Sequence, residues 1–250
     1  MALAEERYAG DDYLRHNPSW DLGDSPWKAD AVSGFLKAEG INPGSVCEIG
    51  CGAGGVLAEL SKIMPGVEFC GYEIAPAVVQ FWEKTKRSNV KFVLGDFFKL
   101  NKAHYDLILL LDVIEHLGAP FTFLNSLHGV AGHYLFHIPL DLSAVSVARE
   151  VPLMAVRNKV GHINYFTKNL ALELLRDTGF KIIGWRYSGA AFNSPQSTWK
   201  TRLAAIPRLI AYALSKDWGV RLLGGETLLV LASSIGEAPV NGAVSDKMRF

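Results

Sequence analysis

Two stretches of the sequence gather side chains that can do chemistry. The first is Asp112-Val113-Ile114-Glu115-His116-Leu117, where two carboxylates and an imidazole stand at i, i+3 and i+4. If that segment turns helical, the three share one face. They could then work as an acid/base set, with His116 foremost because imidazole titrates near neutrality. Carboxylate oxygen and imidazole nitrogen together also suit Mg²⁺, Mn²⁺, Fe²⁺ or Zn²⁺. A third reading is structural, with Glu115 and His116 pairing to hold a loop. The second stretch is Glu48-Ile49-Gly50-Cys51-Gly52-Ala53-Gly54-Gly55. Its glycines allow a sharp turn and close backbone approach to a ligand at a helix N-terminus. Gly50, Gly52 and Gly55 satisfy GxGxxG, a pattern that alone only suggests an adenosine cofactor. Glu73, ending the next apolar run, could hold a ribose hydroxyl. Glu48 narrows the choice: a carboxylate there would weaken a pyrophosphate site but would meet a positively charged ligand.

The surrounding pattern supplies the elements that must position these residues. From Ser45, short apolar runs alternate with longer amphipathic segments: SVCEIG, VEFCGYE, VKFVLGD, YDLILLLD, HYLFHIP, FKIIGWRY and ETLLVLASS read as strands. Between them lie helices over VLAELSKIM, PAVVQFWEKTKR, PFTFLNSLHGV and TKNLALELLRDTG, the last with Thr167 as its cap. A further helix runs from about Trp27 to Glu39. Strands alternating with helices predict an α/β fold: a doubly wound, mostly parallel seven-stranded sheet whose last strand is antiparallel. The expected division is an N-terminal helical cap over 1–40, a core over 41–234 with insertions at 139–164 and 188–225, and a tail over 235–250.

On these residues the chain resembles the class I S-adenosylmethionine (SAM)-dependent methyltransferases. Motif I of that family matches Glu48-x-Gly50-Cys51-Gly52-x-Gly54, followed in order by Glu73, Gly95-Asp96-Phe97 and Tyr105-Asp106-Leu107-Ile108. The resemblance implies SAM as cofactor and a Rossmann-like fold. It places Glu48, Gly50, Cys51, Gly52, Glu73, Ile74 and Leu111 around the cofactor. Asp96 would then accept from the adenine amino group and Phe97 pack on the ring. DVIEHL is similar to the segment of the ubiquinone-type O-methyltransferases and of the small-RNA 3′-terminal methyltransferases. The latter add a distant His around a divalent metal. His162, in GHINYFT before the penultimate helix, matches it, so the implied metal set is Asp112, Glu115, His116 and His162. Asp112 replaces a Glu of the RNA enzymes. Segments before the core commonly cap the cofactor in this family, a role for Tyr8, Tyr13, Trp20 and Trp27, with Lys28 on the methionine carboxylate. The implied reaction is O-methylation by in-line displacement, with an amine acceptor, methylation of an RNA end by the same metal set, or SAM binding without catalysis as the alternatives.

Composition limits the acceptor. With 25 Lys+Arg against 25 Asp+Glu, the formal charge is zero, which argues against a nucleic-acid partner and for a small molecule. Arg149, Arg157 and Lys159 could meet an anionic acceptor, though solvated charge is the plainer reading. The helix expected over 198–216 carries Trp199, Leu203, Ile206, Leu209 and Ile210 near one face, and Pro207 should break or kink it. It could cover an acceptor, form a homodimer contact in a protein otherwise monomeric, or touch a membrane surface. His137, inside an apolar strand, reads as an interior residue, and Asp141 as either pocket lining or structure. Three clustered cysteines, no apolar leader and no apolar run of membrane-spanning length point to a reducing, cytoplasmic setting.

Overall fold

The computed structural model describes residues 14–15, 17–193 and 199–234. Tyr8, Tyr13 and the 235–250 tail lie outside the described residues, as do the side chains of Trp199, Leu203 and Ile206. Seven strands form one sheet: β1 (Ser45–Ile49), β2 (Glu68–Glu73), β3 (Val90–Leu94), β4 (Tyr105–Leu111), β5 (Ala131–Pro139), β6 (Phe180–Tyr187) and β7 (Thr227–Ser234). Their order is β3-β2-β1-β4-β5-β7-β6. β1 pairs in parallel with β2 and β4, whereas β7 is antiparallel to both β5 and β6.

The apolar run in β4 is buried on both faces, as a parallel strand under helices on each side must be. Leu107, Leu109 and Leu111 share a core with Ala29, Val32, Phe35 and Leu36 of α1 (Ser25–Ala38) and Leu57 and Leu60 of α2 (Gly55–Ile63). Ile108 and Leu110 join the opposite core. There they meet Leu124 of α5 (Pro120–Asn125) and Ala171, Leu174 and Leu175 of α8 (Lys168–Asp177). α1 is thus a layer of the fold. Between these elements lie α3 (Val79–Thr85) and α4 (Phe97–Leu100).

The connection at 139–164 is helical for much of its length, with α6 (Ala144–Arg149) and α7 (Val151–Lys159). A reciprocal capping box between Ser143 and Ser146 starts α6. After β6 come α9 (Ala190–Asn193), α10 (Trp199–Leu214) and α11 (Lys216–Leu223). α10 continues through Pro207, so of the expected break or kink there is no break. No helix among the described residues is long and apolar enough to cross a membrane.

Candidate active site

The chain leaves β1 toward β2 on one side, while β4 continues toward β5 on the other. The gap at the carboxyl ends of β1 and β4 is therefore the topological switch point of the sheet, where open α/β folds bind ligands. A cavity of about 440 Å³ opens there. Glu48, Gly50, Cys51, Gly52, Glu73 and Ile74 line one end; Leu111, Asp112 and His116 lie beyond them, and Lys159 and His162 at the other end. Trp20, Trp27 and Lys28 also face it.

The glycine loop is held by its backbone. Gly50 and Cys51 donate to Tyr72 O, Trp82 Nε1 donates to Gly52 O at 3.0 Å, and Thr85 Oγ1 donates to Ala53 O. Gly50 has φ +77°, and a Cβ there would stand 2.9 Å from Val113, so the loop can pass close to the β4 end only without a side chain. Glu73 accepts from the N–H groups of Gly52, Ile74 and Ala75. Burial raises its carboxyl above the ordinary value, while those three donors resist the rise. Glu48 is equally buried, but its Oε2 has no hydrogen-bond partner. Burial pushes its carboxyl up to about 8, against the pull of Lys28. Buried Cys51 is held protonated well past the usual thiol range, again by burial first, which leaves it no nucleophile.

Asp112 does not join Glu115 and His116. It sits at φ +56°, in the left-handed region, just before a 3₁₀ turn at Ile114–His116. That conformation sends its carboxylate away from the turn, to Lys28 Nζ and His137 Nδ1, each at 2.7 Å. Burial would raise Asp112, but His137 and Lys28 hold it well below the carboxylate range. Lys28 is held above its ordinary value by Asp112, against the effect of burial. His137 itself reaches the cavity wall, because the β4–β5 register places it beside Leu111. That pairing was the signal for a site residue that its apolar neighbours concealed. Asp96 and Phe97, expected beside an adenine, do not line the cavity. Asp96 caps α4 through Phe98 N, and Phe97 is buried edge-on against Tyr72 and Phe98.

Glu115, His116 and His162 do come together, with one ligand-type atom from each within 4.8 Å of the others. Glu115 Oε1 lies 4.0 Å from His116 Nε2 and 3.9 Å from His162 Nε2. Glu115 is wholly buried, and neither carboxylate oxygen has a hydrogen-bond partner among the described residues. Burial first, then the Asp112 charge, pushes its carboxyl well above the usual range. Both imidazoles are oriented from behind: His116 Nδ1 faces Gly161 O at 3.2 Å and His162 Nδ1 faces Asp141 Oδ2 at 2.7 Å. Those acceptors place the ring hydrogens on Nδ1, so Nε2 is the basic nitrogen of each neutral ring. The GHINYF sequence docks its loop onto the turn. Ile163 and Asn164 donate backbone N–H to Glu115 O, Asn164 Nδ2 donates to Leu117 O, and Tyr165 OH donates to His162 O.

Comparison with known proteins places the fold and the family. Residues 28–184 match the family model of a methyltransferase domain. A stretch of 89 residues is 33% identical to acetylserotonin O-methyltransferase of Rattus norvegicus, covering 33% of this chain. It spans only about a fifth (21%) of that relative's length. Among solved structures, the plantazolicin methyltransferase in complex with SAH superposes with a TM-score of 0.63 at 17% identity, covering 93% of this chain and 94% of that one. Magnesium protoporphyrin IX methyltransferase from Synechocystis PCC 6803 with bound SAH gives 0.59 at 17% identity, covering 93% and 99%. The match covers more than half of the chain, and the chain belongs to the methyltransferase-domain family.

Proposed function

We propose that this enzyme methylates a hydroxyl of a small-molecule acceptor, held where His116 and His162 line the cavity with Glu115 behind them. The observation that carries this reading is the Glu115 carboxylate, fully buried without a hydrogen bond and flanked by two imidazoles whose outer nitrogens are anchored. A buried carboxylate left so is costly unless a proton or a cation joins it. The identity between this chain and an O-methyltransferase over 89 residues supports oxygen as the accepting atom.

Bound SAM supplies a methyl group on a sulfonium. Glu48 offers its unpaired oxygen to the cofactor's positive end, and Glu73 stands where ribose hydroxyls would lie. Gly50 and Gly52 let the backbone approach, while Ile74 and Leu111 form apolar wall. Lys28 keeps donors beyond the one given to Asp112 and can also meet the methionine carboxylate. Because displacement at the methyl is in-line, the chain's main contribution is alignment of the acceptor oxygen. The donor set of one carboxylate and two imidazoles fits a divalent cation, with Glu115, His116 and His162 as its ligands and Asp141 orienting His162. Such a cation would supply Lewis acidity toward the acceptor hydroxyl. A second reading has His116 take the hydroxyl proton on Nε2 without metal. It is favoured by the one fact that His116 lines the cavity while Glu115 does not.

The test is transfer of tritium from methyl-labelled SAM to fractionated acceptor pools. The expected product is a small molecule labelled on oxygen, and His116→Ala lowers its formation about 10²-fold or more while SAM still binds. Near-normal turnover in that variant, or label on RNA, would overturn the reading.

A further inference from the structure

A second cavity, of about 340 Å³, lies beside the first. The two share Pro139 and Thr227, which are register partners on the last rung between β5 and β7. The cavity is roofed by the inserted helices: Val145 and Arg149 from α6, Leu153 and Val156 from α7, and Arg208 from α10. Its charges are unequally matched. Of its two acids, Asp141 is committed to His162, and Glu226 accepts from Gly189 N and pairs with Lys216 at 3.3 Å. Neither Arg149 nor Arg208 makes an ion pair or hydrogen bond among the described residues. The Arg208 guanidinium is nonetheless placed: it lies over Gly225, where an added Cβ would stand 2.9 Å from Cζ.

We propose that this second cavity is an anion subsite for the methyl acceptor, taking a phosphate or carboxylate group on Arg149 and Arg208. The reading rests on the assignment of the first cavity as the methyl-transfer site. Guanidinium groups suit either anion, because their planar N–H fork matches two oxygens at once. The same cavity is also lined by the apolar side chains of Val145, Leu153 and Val156. The acceptor class is therefore an amphiphilic anion, its hydroxyl at Glu115–His116–His162 and its charged end beyond Pro139 and Thr227. Asp141 lines this subsite and holds His162, so the anion would bind next to the group that orients one of the site's imidazoles.

Binding can be read without any methyl transfer. Calorimetric titration of the full chain with inorganic phosphate and, separately, with succinate distinguishes the two anions. At least one should bind wild type in competition with the other. Arg149→Ala and Arg208→Ala should each weaken it tenfold or more, the double variant should show no heat, and Arg208→Lys should recover part of the loss. SAM affinity measured on the same samples should stay within twofold, which also verifies folding. Binding of neither anion to wild type, or undiminished binding to the double variant, would overturn the subsite. Absence of tritium transfer with intact anion binding would instead count against the methyl-transfer reading of the first cavity.

Discussion

Two buried carboxylates, one lining the cavity and one beside the His116 and His162 that line it, are treated in opposite ways. Glu73, at the glycine-loop end, accepts three backbone N–H bonds. Glu115, at the acceptor end, accepts none on its side chain. Burial is the first cause that pushes both up; three backbone donors oppose it at Glu73, whereas the Asp112 charge adds to it at Glu115. At the glycine-loop end the fold satisfies Glu73 itself, while Glu48 beside it keeps an unpaired oxygen among the described residues. Beside His116 and His162, the Glu115 carboxylate has no hydrogen-bond partner among the described residues, while both imidazoles are oriented by other groups. A satisfied carboxylate can shape a loop and greet hydroxyls. An unsatisfied one needs a cation or a proton to be stable.

The largest predicted effect breaks this contrast at its unsatisfied side. Glu115→Gln keeps the shape but removes the charge, and methyl transfer should fall about 10²-fold or more with SAM affinity unchanged. Bound divalent metal, measured by elemental analysis after equilibration, should fall with it. Next in size is Asp141→Asn, which deprives His162 of its anionic acceptor. Activity and metal affinity should drop about 10–100-fold, and steady-state kinetics beside metal titration would check it.

The cofactor end gives a pH signature. Glu48, raised to about 8 by burial, is mostly protonated at neutral pH and must ionise to meet a cationic ligand. SAM affinity should therefore strengthen as pH rises toward 8, by up to about tenfold per unit, and level off above it. In the free protein the sign is opposite. The folded state holds this proton where the unfolded chain has lost it, so this group's contribution to stability declines from the ordinary carboxylate range up to about 8. Glu48→Gln should flatten both profiles, read by calorimetry and by denaturant titration. The smallest effect belongs to the loop that carries His162. Asn164→Ala removes two bonds to the 114–117 turn and should cost about 1–2 kcal/mol of stability, measured by denaturant unfolding.

Much of this was legible in the sequence, and the exceptions have physical causes. The sheet could be read because LILLL and the other short apolar runs are strands covered on both faces, and the glycine loop because few backbones need glycine at 50, 52, 54 and 55 together. The grouping of Glu115 with His116 follows from adjacency in a tight turn. Asp112 misled because i, i+3, i+4 spacing assumes helix, whereas its left-handed backbone redirects the side chain. His137 escaped because its role depends on a register across β4 and β5 that spacing cannot reveal. Phe97 was assigned to a ligand by family likeness, but the core of this chain takes it. The helices in 139–164 were hidden by weak amphipathicity, and α6 depends on a local box between Ser143 and Ser146.

We propose that Glu115, His116 and His162 act on the acceptor through a bound divalent cation. That role is tested most directly by tritium transfer from labelled SAM with enzyme stripped by exhaustive chelation, metal content being measured in the same sample. The expected result is loss of transfer on stripping and recovery on adding back a divalent metal to wild type, with no recovery in Glu115→Gln. Full activity in demonstrably metal-free enzyme would contradict it.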